Sequence, residues 1–299
     1  MSATVAAIVN NNLVPVFADI EPDSFNISVD AVAELINDNT SGIMAVDIFG
    51  KPCEFQELRE LADKNNLELI VDSAQAPLAS RDGKRSADFA SISGYSFNRH
   101  KHIQCGEGGI AVTANESYAK KMRLYRNHSE VSSIEQKNNI HGHNMRFGEI
   151  EATLILGQLG RIVELVNHRV DAAVRIIRGL SQIEGIRVPK IENSESHDFY
   201  IVGLVLEGSL ANKRDAFLEI LATENLPGIL KGYVNVHNLP QFAKYKRGAL
   251  KISEELHEKT FIGIYMCGVE WNENLSKRVV DSFRNAAIKV NGKKASIHN

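Results

Sequence analysis

The chain of 299 residues is 43% hydrophobic and 24% charged, which excludes disordered and fibrous proteins and allows one large core or two smaller ones. Its formal net charge is −3 and its lysines and arginines are scattered, so the sequence lacks the basic patch of a nucleic-acid-binding protein. No stretch reaches the roughly 20 apolar residues of a membrane-spanning helix, residues 1–12 do not resemble a signal peptide, and the three cysteines match no metal-ligand spacing. We therefore expect a reduced, cytoplasmic protein with no nucleic-acid or membrane partner.

The part of the chain from residue 13 to about 125 alternates short apolar runs with amphipathic segments. This alternation is typical of parallel strands joined by crossover helices. It predicts one helix capped by Ser28 and others around residues 55–62 and 118–125. It predicts strands at residues 14–18, 43–46, 67–71, 89–93 and 110–113. We expect an α/β domain with a mostly parallel sheet.

The second part of the chain has a different pattern. Residues 149–166 form one dense apolar helical stretch, and a new amphipathic helix begins near His168. A strand at residues 199–206 and a helix around residues 212–224 follow. This pattern predicts two domains, a large domain over residues 1–167 and a smaller α+β domain over residues 168–299.

Asp72 ends a predicted strand, in the run Leu69-Ile70-Val71-Asp72-Ser73-Ala74-Gln75. In open α/β sheets ligands bind beyond the carboxyl ends of the strands, so this aspartate occupies a functional position. The structural alternative is an aspartate that caps a helix or a turn. Asp72 alone does not decide between them.

A polar loop between two apolar strands carries the next candidate, Lys101. Its neighbours Arg99, His100 and His102 are cationic or titratable and would depress the pKa of the lysine, as a Schiff-base lysine requires. The loop ends in a glycine turn at residues 106–109, where the backbone can adopt positive φ. The alternatives are a solvated basic loop and a loop that holds an anion such as phosphate without any chemistry.

Read together, these residues resemble the DegT/DnrJ/StrS family of sugar aminotransferases, which are pyridoxal-phosphate (PLP) enzymes of fold type I. The resemblance covers nearly the whole chain and is looser after about Ser181. It is carried by Ala3-Thr4, the run from Val14 to Asp23, Asp72-Ser73-Ala74-Gln75-Ala76, Ser96-Phe97 with Lys101, Gly106-Glu107-Gly108-Gly109, Arg126-Asn127-His128 and Gly142-His143-Asn144-Met145-Arg146-Phe147. It implies an aspartate aminotransferase-like large domain, truncated at its N-terminus, with a smaller C-terminal domain.

The resemblance also implies a role for each candidate. Lys101 would carry PLP and later move a proton between the cofactor and the substrate, while Asp72 would keep the pyridine nitrogen protonated. Gln75 would contact the phenolic oxygen of the ring and Ser96 would donate to the phosphate. Asn144 would reach the phosphate of a neighbouring subunit, which implies a homodimer.

Two departures from the family refine these expectations. The dehydratase branch of the family has histidine in place of the lysine, whereas the fifth residue after Ser96 is Lys101, which favours aminotransfer. Family members also begin with several dozen residues that have no counterpart here, and those residues supply backbone N–H donors for the PLP phosphate. Three alternatives follow: a companion polypeptide supplies them, the chain alone binds PLP weakly, or the chain is an inactive relative.

We therefore expect an aminotransferase that moves an amino group from an amino acid, glutamate by resemblance, to a nucleotide-linked keto-sugar. The alternative is a non-catalytic or regulatory companion subunit of a split aminotransferase. Five intact residues, Asp72, Gln75, Ser96, Lys101 and Asn144, favour the enzyme. His237 and Asn238 lie where the sugar-binding loop of the family falls, although such a pair in a loop is more often solvated.

Overall fold

The structure is a computed structural model that describes residues 1–130, 141–192 and 194–292. The last seven residues of the predicted second domain lie outside the described residues. The helices are α1 (Ser2–Val9), α2 (Val29–Leu35), α3 (Phe55–Lys64), α4 (Glu116–Arg126), α5 (Glu149–Leu159), α6 (Ile162–Leu180), α7 (Arg214–Ala222), α8 (Lys251–Glu255) and α9 (Glu273–Val290). The strands are β1 (Gly42–Val46), β2 (Glu68–Asp72), β3 (Ser80–Arg81), β4 (Ile92–Ser96), β5 (Gly109–Val112), β6 (Ile186–Arg187), β7 (Glu195–Ser196), β8 (Ile201–Leu206), β9 (Ile229–Lys231) and β10 (Phe261–Tyr265).

The sheet of the first part has the order β1-β2-β4-β5. Its first three strands are parallel and β5 is antiparallel to β4. Val46 lies opposite Asp72, which in turn lies opposite Gly94, so the carboxyl ends of three strands meet at one edge. This arrangement confirms the predicted α/β fold with a mostly parallel sheet, and it places Asp72 at the ligand-binding edge.

The helices of this part pack on the sheet through the apolar positions that the sequence pattern predicted. Ser28 caps α2 by accepting a hydrogen bond from the backbone N–H of Ala31. Phe55, Leu58 and Ala62 of α3 are fully buried, because their spacing puts them on one face of the helix.

Three predicted elements differ from the structure. Residues 14–18 form no strand: they make no ladder with any described strand, and Val14 is 60% exposed. The strand predicted at residues 89–93 begins at Ile92, because a 3₁₀ turn over Ser86–Asp88 precedes it. The single helix predicted over residues 149–166 is two helices, interrupted at Gly160 and Arg161.

The second part is built on an antiparallel sheet with the order β6-β8-β10-β9. All six residues of β8 are buried, and α6 and α9 pack against each other and against this sheet around Phe283 and the fully buried Trp271. The α6 helix runs without interruption across the predicted boundary at residue 168.

The two parts meet at an aromatic cluster. Phe25 and Phe49 come from the first part and Phe261 from the second, and their ring centroids lie 5.3 to 5.4 Å apart. Arg81 adds an ion pair to Glu195 at 2.7 Å. Aromatic pairs of this geometry contribute beyond their buried area, so the second part is packed firmly against the strand ends of the first.

One surface of the first part is unusually apolar. Ile150 and Leu156 of α5 are 75% and 69% exposed and lie on different sides of the helix, and Ile110 on the neighbouring β5 is half exposed. A helix that is apolar on several sides is normally covered by other polypeptide. Among the described residues, no helix is long and apolar enough to cross a membrane.

Candidate active site

Asp72 is held at the carboxyl end of β2. The hydroxyl of Thr4 donates to its Oδ2 at 2.7 Å, and the backbone N–H of Ala74 donates to its Oδ1 at 3.1 Å. The second bond is a turn contact, so Asp72 also caps a turn, as the alternative interpretation predicted. The first comes from α1, 68 residues away, and it fixes the direction of the carboxylate.

A second aspartate, Asp47, lies behind this edge and was missed by the sequence reasoning. It is buried and accepts hydrogen bonds from the hydroxyls of Ser73 (2.6 Å) and Ser86 (2.7 Å) and from the backbone N–H of Cys53 (2.9 Å). Burial raises the pKa of Asp47, and these donors oppose the rise. The signal was present in the sequence, because Asp47 directly follows an apolar strand just as Asp72 does.

Gln75 is buried between the two parts of the chain. Its side-chain oxygen accepts a hydrogen bond of 2.7 Å from the backbone N–H of Phe49, and its amide nitrogen approaches the hydroxyl of Tyr233 at 3.4 Å. Phe49 has a positive φ of 60°, so this contact helps to hold a backbone conformation that is rare for a bulky residue. These contacts therefore hold the side chain of Gln75, which follows Asp72 by three residues, in a fixed position.

Lys101 is only 8% exposed, which excludes the interpretation that it is a solvated lysine of a basic loop. Its backbone N–H donates to the carbonyl of Asn98 at 2.8 Å, and its ammonium lies 4.7 Å from the ring centre of Tyr200. Burial lowers the pKa of the Lys101 amine, while the negative charge of Asp72 opposes this change. The two residues therefore act on each other electrostatically across the site.

The predicted cause of the lowered pKa was wrong. Arg99 and His100 are exposed, and they are not among the charges that shift Lys101. Burial and the positive charges of Arg169 and Lys101 lower the pKa of His102 to about 3, so His102 is neutral at physiological pH. The pKa of Lys101 is lowered by burial, which the sequence pattern does not reveal, and not by repulsion from neighbouring cations.

Ser96 ends β4 and lies beside Lys101. A cavity of about 360 Å³ is lined by both residues together with Ser73, Tyr95 and Ile110. The Ser96 hydroxyl accepts a hydrogen bond of 3.2 Å from the backbone N–H of Asn98 and keeps its own proton available for donation. The structure thus brings Asp72, Gln75, Ser96 and Lys101 to one edge of the sheet.

Asn144 is not part of this group within the chain. It is exposed, forms an isolated bridge with Asn127 and accepts a long hydrogen bond of 3.4 Å from the backbone N–H of Arg146. Within the described residues, no hydrogen bond joins it to the other four candidates. Its predicted role in a neighbouring subunit stays a prediction.

His237 is buried, contrary to the expectation that the His-Asn pair is solvated. Its Nε2 lies 3.1 Å from a carboxylate oxygen of Glu254, and its ring packs against Phe17 at 5.8 Å. The contact with Phe17 ties the loop to residues 14–18. Asn238 is exposed and accepts a hydrogen bond of 2.9 Å from the Lys246 ammonium. His237 therefore has a structural role in this fold.

The chain has the fold of an aminotransferase. It belongs to the DegT/DnrJ/EryC1/StrS aminotransferase family, whose sequence profile matches residues 1–284. The chain is 30% identical over 242 residues to GDP-perosamine synthase of Vibrio cholerae, covering 80% of this chain and 65% of that protein. It is 30% identical over 202 residues to dTDP-3-amino-3,4,6-trideoxy-alpha-D-glucose transaminase of Micromonospora megalomicea subsp. nigra, covering 66% of this chain and 54% of that protein.

A solved structure supports the same assignment. An aminotransferase from Psychrobacter cryohalolentis superposes with a TM-score of 0.89 and 25% identity, and the match covers 97% of this chain and 80% of that chain. The chain therefore spans less than two thirds of the length of both named curated relatives and more of this solved one.

The residues of the site fit PLP. The cofactor needs an amine of lowered pKa, a carboxylate for its pyridine nitrogen and donors for its phosphate. Lys101 would supply the first, Asp72 would supply the second in a fixed orientation, and Ser96 would supply a hydroxyl beside the lysine. This donor set is compatible with PLP, and the described ranges contain no cluster of residues that could hold a metal ion.

Proposed function

We propose that the protein is an aminotransferase that moves an amino group from an amino acid, with glutamate as the donor, to a nucleotide-linked keto-sugar. The observation that carries the proposal is the buried Lys101 amine, which has a lowered pKa and interacts with the Asp72 carboxylate. Two relatives named as enzymes of amino-sugar nucleotides support the choice of acceptor.

Lys101 would hold the cofactor and act as the general base. When bound, PLP supplies an electron sink that makes the α-proton of the amino acid acidic. Because burial lowers the pKa of Lys101, more of its Nζ is neutral near pH 7, and only the neutral amine can accept this proton and return it elsewhere. The Tyr200 ring, 4.7 Å away, restricts where the amine can lie.

The other candidates would orient the cofactor. The Asp72 carboxylate, fixed by Thr4, would retain the proton of the pyridine nitrogen. Gln75 would contact the phenolic oxygen through its amide group, and the Ser96 hydroxyl would donate to the phosphate. We further propose that Asn144 serves the phosphate of a second subunit, and its exposure supports this role.

Partner chains would complete the site. The apolar α5 surface supports a homodimer, a companion polypeptide, or both, because exposed apolar area of this extent is normally covered. We place the protein in the cytoplasm, which is supported by its three free cysteines. We also retain the division into residues 1–167 and 168–299, with α6 as the helix that joins the two domains.

An assay with a panel of acceptors tests this function. The protein is incubated with saturating PLP, glutamate and a set of nucleotide-linked 3-keto and 4-keto sugars, and amino-sugar products are measured by mass spectrometry. We expect an amino sugar from at least one acceptor, with one equivalent of 2-oxoglutarate. Consumption of glutamate without amination of any keto-sugar would contradict the sugar acceptor. Amination from another amino acid but not from glutamate would contradict the donor, and no amination from any amino acid at saturating PLP would contradict the aminotransferase.

A further inference from the structure

The short segment that precedes β8 connects the second domain to the loop after Gln75. Asp198 in this segment is 2% exposed, and its Oδ2 accepts hydrogen bonds from the backbone N–H groups of Leu78 (2.7 Å) and Ala79 (3.0 Å). Its own N–H donates to the carbonyl of Gly50 at 2.8 Å. One aspartate of the second domain thus fixes two loops of the first.

The backbone beside Asp198 is strained. Phe199 has a φ of +46°, in the left-handed region that bulky residues rarely adopt. Gly50, with a φ of +94°, lies so close that an added Cβ would stand 2.9 Å from the backbone nitrogen of Tyr200 and 3.0 Å from that of Phe199. Strain of this kind persists only where the surroundings impose it, and it is concentrated at functional sites.

The next residue, Tyr200, lies against Lys101. The lysine ammonium is 4.7 Å from the centre of its ring, within the range of a cation–π contact. Tyr265, from the adjacent strand β10, donates its hydroxyl to the carbonyl of His100, and its oxygen lies 3.2 Å from the hydroxyl of Tyr200. Two tyrosines of the second domain therefore contact the lysine and the residue before it.

We propose that Asp198, Tyr200 and Tyr265 are positioning residues: the second domain uses them to hold the Lys101 amine and the loop after Gln75 in fixed relative positions. None of the three was singled out by a sequence motif, and none needs to touch a substrate to act. The consequence for turnover rests on the proposed function. The position of the Lys101 amine does not depend on that function, and it can be measured without cofactor.

Acylation of Lys101 in the cofactor-free chain tests the proposal. The limiting rate at high pH, where the amine is neutral, is measured by peptide mass mapping and divided by the rate of exposed Lys120. The limit is used because Asp72 and Cys267 interact electrostatically with Lys101 and would affect a rate at one pH. We expect Tyr265→Phe to raise this ratio about fivefold, the factor for loss of one net hydrogen bond. Tyr200→Leu should raise it at least as much, because it removes the ring that lies over the amine whether or not the amine is charged.

The matched control is Tyr118→Phe. Tyr118 lies on the remote helix α4, and the substitution removes a hydroxyl that is hydrogen-bonded to Glu68. We expect its ratio to equal that of the wild type. Tyr265→Phe removes only one oxygen, so it keeps the test valid even where Tyr200→Leu fails to fold. An unchanged ratio in a folded Tyr265→Phe protein would overturn the proposal for the tyrosines.

A pair of substitutions tests Asp198. Asp198→Asn keeps a carbonyl oxygen that can accept from Leu78 and Ala79, so its ratio should stay within about twofold of wild type, whereas Asp198→Ala should raise it about fivefold. Equal ratios for Asp198→Ala and wild type would remove Asp198 from the proposal. If all ratios change as expected but no PLP attaches to Lys101, the proposed function fails and the positioning role stands.

Discussion

The Lys101→Ala protein is expected to lose transamination by about 10³-fold, the magnitude typical of losing a positioned general base and nucleophile. Lys101 is the only buried lysine in the described part of the chain, so no other lysine is available to replace it at this edge. The half-reaction between PLP-loaded protein and glutamate, followed by absorbance in single-turnover experiments, measures the loss.

The control for this prediction is Lys120→Ala. Lys120 lies on α4 with a side chain that is 68% exposed and forms a surface ion pair with Glu116. Removing it should leave the rate of the half-reaction unchanged, because an exposed ion pair of this type contributes little to the stability of the fold. Thermal unfolding shows whether both variants are folded. A folded Lys101→Ala protein with turnover near that of Lys120→Ala would contradict the role of Lys101.

Asp72→Asn should lower transamination by at least about 10²-fold, because a neutral amide cannot stabilise a protonated pyridine nitrogen. The amide is similar in shape: its oxygen can accept from the Ala74 N–H and its NH2 group can donate to the Thr4 hydroxyl, so the loop should keep its structure. The same change should lower the pKa of Lys101 further, since the Asp72 charge opposes the effect of burial. Both the single-turnover rate and the pH dependence of Lys101 acylation measure the effect.

Asp63→Asn provides the matched comparison for Asp72→Asn. Asp63 forms an ion pair with Arg59 at 2.7 Å on α3, and its side chain is 69% exposed. This variant should keep both the wild-type rate and the wild-type pKa of Lys101. If Asp72→Asn kept near-normal turnover, Asp72 would serve only as the turn contact that its bond to Ala74 already indicates.

Much of the site was predictable because it depends on local sequence. The strands β1 and β2 are short apolar runs, and the chain leaves each of them through an aspartate, Asp47 or Asp72. Parallel strands bring such ends together, so the edge of the sheet follows from the order of elements. The resemblance then selected Lys101 from a polar loop that no periodicity distinguishes.

The remainder depends on contacts between distant residues. Tyr200 contacts Lys101 and Tyr265 contacts the carbonyl of His100, although both tyrosines lie about 100 to 165 residues further along the chain and no spacing rule connects them to the loop. Residues 14–18 have the alternation of a strand, but strand formation requires a partner edge, and the described residues provide none. Local pattern therefore predicts elements, whereas burial and pairing are properties of the assembled fold.

The attachment site of PLP tests the central claim most directly. The protein is saturated with PLP, reduced with borohydride and digested, and the peptide that carries the added mass is sequenced by mass spectrometry. We expect the label on Lys101 and on no other lysine, because the Lys101 amine is buried, has a lowered pKa and lies near Asp72. A label on a different lysine, or no stable label at saturating PLP, would contradict the assignment of Lys101 as the residue that holds the cofactor.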